Sequence, residues 1–151
     1  MSRRLGYQVA SALVHAHAAH GTRLFVVVSA ESGAGKSTLC SWCDAFDEIT
    51  VLSLPELEVL GPQDISPNEI VLIDGPSHLQ GDGLSLLPLS WIKALDGFVV
   101  VARRRRTKVR DLRAMRSWFH LAGVPCVGVV LNEHRAPRRA FWRAWAVSMS
   151  R

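Results

Sequence analysis

Apolar positions along this chain fall into two patterns. The first is a set of short continuous runs: Leu24–Ser29 (L-F-V-V-V-S), Ile49–Leu54, Glu69–Ile73, Gly97–Ala102 and Pro125–Leu131. They are rich in β-branched and aromatic residues, too short for buried helices, and read as strands covered on both faces. The second pattern has helical spacing. It occupies 5–20, Ser37 to about Phe46, and Thr107–Ala122, where Leu112, Met115 and Phe119 share one side and Arg110, Arg113 and Arg116 another. A last helix is expected from Arg138 to Met149. Buried strands alternating with helices predict a three-layer α/β fold around a mostly parallel sheet of about five strands. One domain is expected over 1–151, with a leading helix in 1–21 and a closing helix in 136–151. Segment 75–95 is the least regular connection, and long irregular connections are often functional.

The junction after the first strand carries chemistry. Ala30–Thr38 reads A-E-S-G-A-G-K-S-T, the pattern small-x-x-x-x-G-K-[ST] between a buried strand and a helix. In such a P-loop, backbone N–H groups and the helix N-terminus meet phosphate oxygens. Gly33 and Gly35 supply the backbone freedom that this needs. The residues expected against a nucleotide are Ser32, Gly33, Ala34, Gly35, Lys36, Ser37 and Thr38. Lys36 should reach the terminal phosphates of ATP or ADP, and the Ser37 hydroxyl should ligate Mg2+. Asp74, in I-V-L-I-D beside the loop strand, is the second expected magnesium ligand; Lys36 and Asp74 are the candidate catalytic pair.

Composition narrows the setting. No apolar run approaches the roughly 18 residues of a membrane span, and His15, His17 and His20 interrupt any secretory core. Cys40, Cys43 and Cys126 fit a reducing compartment, so a cytoplasmic chain is expected. Cys40 and Cys43 form C-x-x-C, but no second pair completes a zinc site, and packing is the expected role. Charge is unevenly placed: residues 1–100 hold 5 Lys/Arg and 11 Asp/Glu, whereas 101–151 hold 13 and 2. The C-terminal third should therefore meet something acidic.

With these residues in hand, the chain resembles the cytoplasmic kinase domain of bacterial tyrosine kinases of capsule and exopolysaccharide synthesis, relatives of the partitioning and septum-site ATPases. S-A-E-S-G-A-G-K-S-T (29–38) is similar to that family's Walker A loop, and I-V-L-I-D-G-P (70–76) to its Walker B strand. L-D-G-F-V-V-V (95–101), the helix from Thr107 and A-G-V-P-C-V-G-V-V-L-N (122–132) repeat its order of strand, helix and strand. The resemblance implies an ATP-binding, magnesium-using protein that works beside a membrane polysaccharide-export or chain-length partner. It also places Asn132 near the base, where its amide fits adenine.

Two features of that family are missing. Its second strand ends in D-x-D, where this chain has Ser53 and Pro55; with a slip of three, Glu56 and Glu58 stand nearest. Its tyrosine-rich tail is absent, Tyr7 being the only tyrosine. Weak or absent autokinase activity is the leading expectation. An active ATPase or a tyrosine kinase acting in trans is the alternative, and a partitioning-type ATPase the third.

Three readings stay open for Arg103–Arg106 and the basic helix after it: a solvated loop, a contact to an acidic protein or an anionic membrane surface, or nucleic acid. Nucleic acid ranks last because no aromatic side chains alternate with the arginines. In the last helix Phe141, Trp142, Trp145 and Met149 accompany Arg138, Arg139 and Arg143, and docking onto the sheet is expected ahead of a position at a membrane interface, peripheral to its inner face. A homo-oligomer is left open.

Overall fold

A computed structural model describes residues 3–77 and 87–133. Helix α1 (Arg3–His20) leads into β1 (Leu24–Ser29) and α2 (Lys36–Cys43). Then come β2 (Ile49–Ser53), the single turn α3 (Glu56–Val59), a 3-10 turn at Pro62–Asp64, and β3 (Ile70–Ser77). Helix α4 (Leu89–Ala94), β4 (Gly97–Arg103), α5 (Val109–Leu121) and β5 (Cys126–Asn132) complete the described part. The expected helix at 136–151 lies outside the described residues, as does 78–86 within the irregular connection.

The five strands form one parallel sheet in the order β2-β3-β1-β4-β5. All six residues of β1 are buried because alternate side chains serve opposite cores. Leu24, Val26 and Val28 join α3, α4 and α5 through Leu57, Trp91, Met115 and Phe119. Phe25 and Val27 face α1 and α2 through Leu13, Leu39 and Cys43. Cys40 and Cys43 thus belong to the packing, and burial pushes the Cys43 thiol up to about 11. Gly6 lets α1 press on α2: a Cβ there would lie 2.4 Å from Trp42 Cβ.

Two details differ from expectation. Asp74 does not close its strand, which runs three residues further to Ser77. Gly75 makes this continuation possible, since a Cβ would meet Val26 Cγ2 at 2.5 Å and the Val27 carbonyl at 2.7 Å. Pro76 is tolerated where the β1–β3 register shifts, between Val27 and Ser29. The expected irregular segment 75–95 also holds regular structure at both described ends, β3 to Ser77 and α4 at Leu89–Ala94. In α4, buried Trp91 donates Nε1–H to the carbonyls of Leu57 (3.2 Å) and Leu60 (3.1 Å).

At the far side, β5 is the edge strand and half of it is open. An apolar groove of about 720 Å3 separates it from α1, lined by Leu13, Ala16, Phe25, Val99, Val127 and Val130 among others. No helix among the described residues is long and apolar enough to cross a membrane.

Candidate phosphate site

Parallel pairing sends every strand's C-terminal end to one edge of the sheet, where α/β folds bind ligands. The P-loop leaves β1 there. Gly33 (φ 68) and Gly35 (φ 94) occupy the left-handed region, which costs a glycine nothing and any other residue about 1 kcal/mol or more. The first intrahelical bond of α2 runs from Leu39 N–H to Gly35 O at 3.0 Å. The amides before Leu39 therefore have no partner within the helix and are free for an anion. Ser32, Gly33, Ser37 and Thr38 are exposed along this rim, while Ala34 is buried beneath it.

Lys36 folds back from the start of α2, almost wholly buried, and its ammonium pairs with Asp74 Oδ1. Residues 38 apart in sequence are joined because β3 lies beside β1, with Asp74 in register with Val27. Cys40, one turn along α2 from Lys36, lies close enough to feel both charges. Its thiol is pushed well above the usual range, mainly by burial and then by the Asp74 carboxylate.

The donor set suits magnesium. Mg2+ commonly takes only one or two protein ligands and completes its shell with water and phosphate oxygens. Asp74, partly exposed, and Ser37, exposed at the head of α2, supply one carboxylate and one hydroxyl. No cluster of three or more His, Cys, Asp or Glu that would suggest another kind of metal centre occurs among the described residues.

Ser53 closes β2 in register with Asp74, so the missing D-x-D falls on the strand next to the candidate site. Glu56 is already engaged: it accepts from Ser53 N–H and from Ser53 Oγ, both at 2.6 Å. These bonds hold its carboxyl below the usual range and make it a poorer base. Glu58 is exposed on the same short helix.

Asn132, expected near a nucleotide base, packs beneath the loop. It is 5% exposed, and its Nδ2–H donates to the Ala34 carbonyl at 2.7 Å, bracing the P-loop from below. Its Oδ1 is buried with no partner among the described residues. The sequence pattern missed a second brace on the loop. Glu31 accepts a bond from Thr107 Oγ1 at 2.8 Å, reaching across from the arginine turn at the end of β4. No local motif marks it, since residues 76 apart meet only because β4 neighbours β1.

With this geometry established, solved structures of the same shape can be compared. The kinase domain of the Escherichia coli tyrosine kinase ETK matches with a TM-score of 0.59 at 13% identity, over 90% of this chain and 80% of that one. The BceF tyrosine kinase domain matches with a TM-score of 0.55 at 15% identity, over 87% and 75%. At such identities the likeness is one of fold. No family model and no curated protein matches the sequence.

Proposed function

We propose that this chain binds ATP or ADP with Mg2+ on its P-loop and acts mainly through nucleotide-dependent contacts, with little or no phosphoryl transfer of its own. The observation that carries this reading is the convergence of the glycine loop, Lys36 and Asp74 at one sheet edge, beside a β2 end that offers Ser53 and an engaged Glu56. Loop amides and Lys36 would hold the phosphates, and Ser37 and Asp74 the metal ion. Bound Mg2+ would offset phosphate charge; Lys36 would then exchange Asp74 for the terminal phosphates. A tyrosine or serine hydroxyl entering there meets no free carboxylate on β2 to take its proton. General-base assistance is worth roughly 10² to 10⁴ in rate, so binding outlasts catalysis.

The fold likeness to two tyrosine kinase domains supports a place beside exopolysaccharide-export tyrosine kinases, with a membrane export or chain-length protein as partner at the inner face of the membrane. Calorimetric titration with Mg-ATP tests the core of this reading: Lys36→Ala should weaken binding at least tenfold and Asp74→Asn should blunt its magnesium dependence. Equal affinity in wild type and Lys36→Ala would overturn it. Mass spectrometry after incubation with Mg-ATP and a tyrosine-bearing peptide should find no phosphate. Phosphotyrosine that disappears in Lys36→Ala would instead establish an active kinase.

A further inference from the structure

The arginine turn after β4 is fastened to the phosphate loop by two hydrogen-bonded bridges. In the first, Thr107 Oγ1 accepts from Arg103 N–H at 2.7 Å and donates to Glu31 Oε1 at 2.8 Å. Glu31 is itself anchored, its carbonyl accepting from Ser29 Oγ at 2.9 Å. In the second, Asn132 Nδ2–H donates to Ala34 O, and the Asn132 carbonyl accepts from Arg104 N–H at 3.0 Å. Within the turn, the N–H groups of Arg106 and Thr107 both close on Arg103 O, at 3.2 and 3.0 Å. Arg105 is held in the left-handed region at φ 66, an unfavourable position for a side chain of this size. Loop and turn thus form one connected unit.

The charge on that unit is one-sided. Arg104, Arg105 and Arg106 are exposed, and Lys108, Arg110, Arg113 and Arg116 continue the exposed face along α5. The apolar side of α5, Met115 and Phe119, is spent in the core, and its exposed large apolar residues, Val109 and Leu121, stand at opposite ends of the helix and form no continuous face to lay in a lipid surface. No exposed aromatic side chain lies among residues 103–117 on which a nucleic-acid base could stack. The turn already holds one carboxylate, that of Glu133 on Arg104. Six of these seven exposed basic residues are arginines, whose planar fork suits carboxylates.

We propose that the 103–106 turn and the exposed face of α5 dock an acidic polypeptide segment of a partner, and that this docking and phosphate-loop occupancy oppose each other. The coupling rests on the nucleotide reading above. Glu31 and Thr107 are in direct contact, so phosphates held by the loop would lie near the turn, where charges within about one Debye length (~8 Å) still feel one another. Phosphate and partner carboxylates draw on the same positive field, and incoming phosphate also repels the Glu31 carboxylate that braces Thr107. The sign is therefore antagonistic. Thermodynamic linkage makes it mutual: each ligand weakens the other by the same factor, about fivefold at the low end of such couplings.

The experiment uses the full chain and a fluorescently labelled oligoglutamate peptide, read by anisotropy with and without saturating Mg-ADP. Separate calorimetry verifies ADP binding. ADP should weaken the peptide about fivefold, and peptide should weaken ADP equally. Thr107→Val should keep both ligands and cut the mutual factor by about half, whereas Arg105→Ala with Arg106→Ala should weaken the peptide more than it weakens ADP. Peptide that fails to bind, or that binds less well than phosphatidylserine vesicles or a DNA oligomer, overturns the acidic-polypeptide assignment. Peptide affinity indifferent to ADP that calorimetry shows to be bound overturns the coupling alone. If ADP does not bind, the nucleotide reading falls and takes the coupling with it, while the peptide measurement still decides the docking surface.

Discussion

Replacing Asn132 separates what its amide does from what its shape does. The side chain is buried, and its Nδ2–H must face Ala34 O because a carbonyl only accepts. In Asn132→Leu the bond disappears, at a net cost of about 1 kcal/mol. The Ala34 carbonyl becomes an unpaired buried acceptor, but the already unpaired Oδ1 is removed, and these two effects offset. Stability should fall by about 1 kcal/mol, some 2–4 °C in Tm for a chain of this size. Asn132→Asp keeps the shape and replaces the donor with a buried carboxylate aimed at a carbonyl oxygen. An unpaired buried charge costs about 3–5 kcal/mol. The sign with pH follows from protonation: this carboxyl has a raised pKa in the fold, so stability is present at low pH and lost as pH rises. Protonated, it again donates to Ala34 O. Urea unfolding of both variants and wild type at pH 7 and at about pH 4.5 provides the assay. Relative to wild type, Asn132→Asp should lose about 3 kcal/mol or more at pH 7 and recover most of it in acid, while Asn132→Leu stays nearly pH-independent. Equal losses in the two variants at both pH values would refute the Nδ2–Ala34 contact.

Trp91→Phe removes a donor shared by the Leu57 and Leu60 carbonyls and should cost about 2 kcal/mol, or about 4–8 °C in Tm by calorimetry; an unchanged Tm would contradict the buried indole bond. In native protein at about pH 8, alkylation followed by mass spectrometry should label exposed Cys126 and spare buried Cys40 and Cys43. Because the Cys43 thiol titrates near 11 in the fold and about 9 when unfolded, the unfolded state ionises first as pH rises. Its contribution should be intact below about pH 9 and decline from there toward pH 11, seen as a falling urea midpoint that Cys43→Ser shows less steeply.

The strands and the glycine loop between β1 and α2 were legible because both are local chemistry. A run such as Leu24–Ser29 is buried whichever neighbours it finds, and G-A-G-K-S needs only a strand before it and a helix after it. The parallel sheet followed from the alternation of elements, and the bounds of every strand but β3 were placed within a residue. What the pattern missed were features set by neighbours. Asp74 looked like a strand end because Gly-Pro usually breaks strands, yet β3 continues past it along β1, where only glycine fits. Helices α3 and α4 were invisible because they are one or two turns long and are held by tertiary contacts such as the Trp91 indole, not by periodicity. The family resemblance put Asn132 near a base, whereas its bond to the Ala34 carbonyl shows only once the sheet order is known. The Glu31–Thr107 bridge has no sequence signal at all. Hydrophobic period and motif spacing are fixed by residues a few places apart, whereas a bond between residues 76 or 98 apart depends on strand order, and strand order is settled only when the whole sheet closes on its two cores.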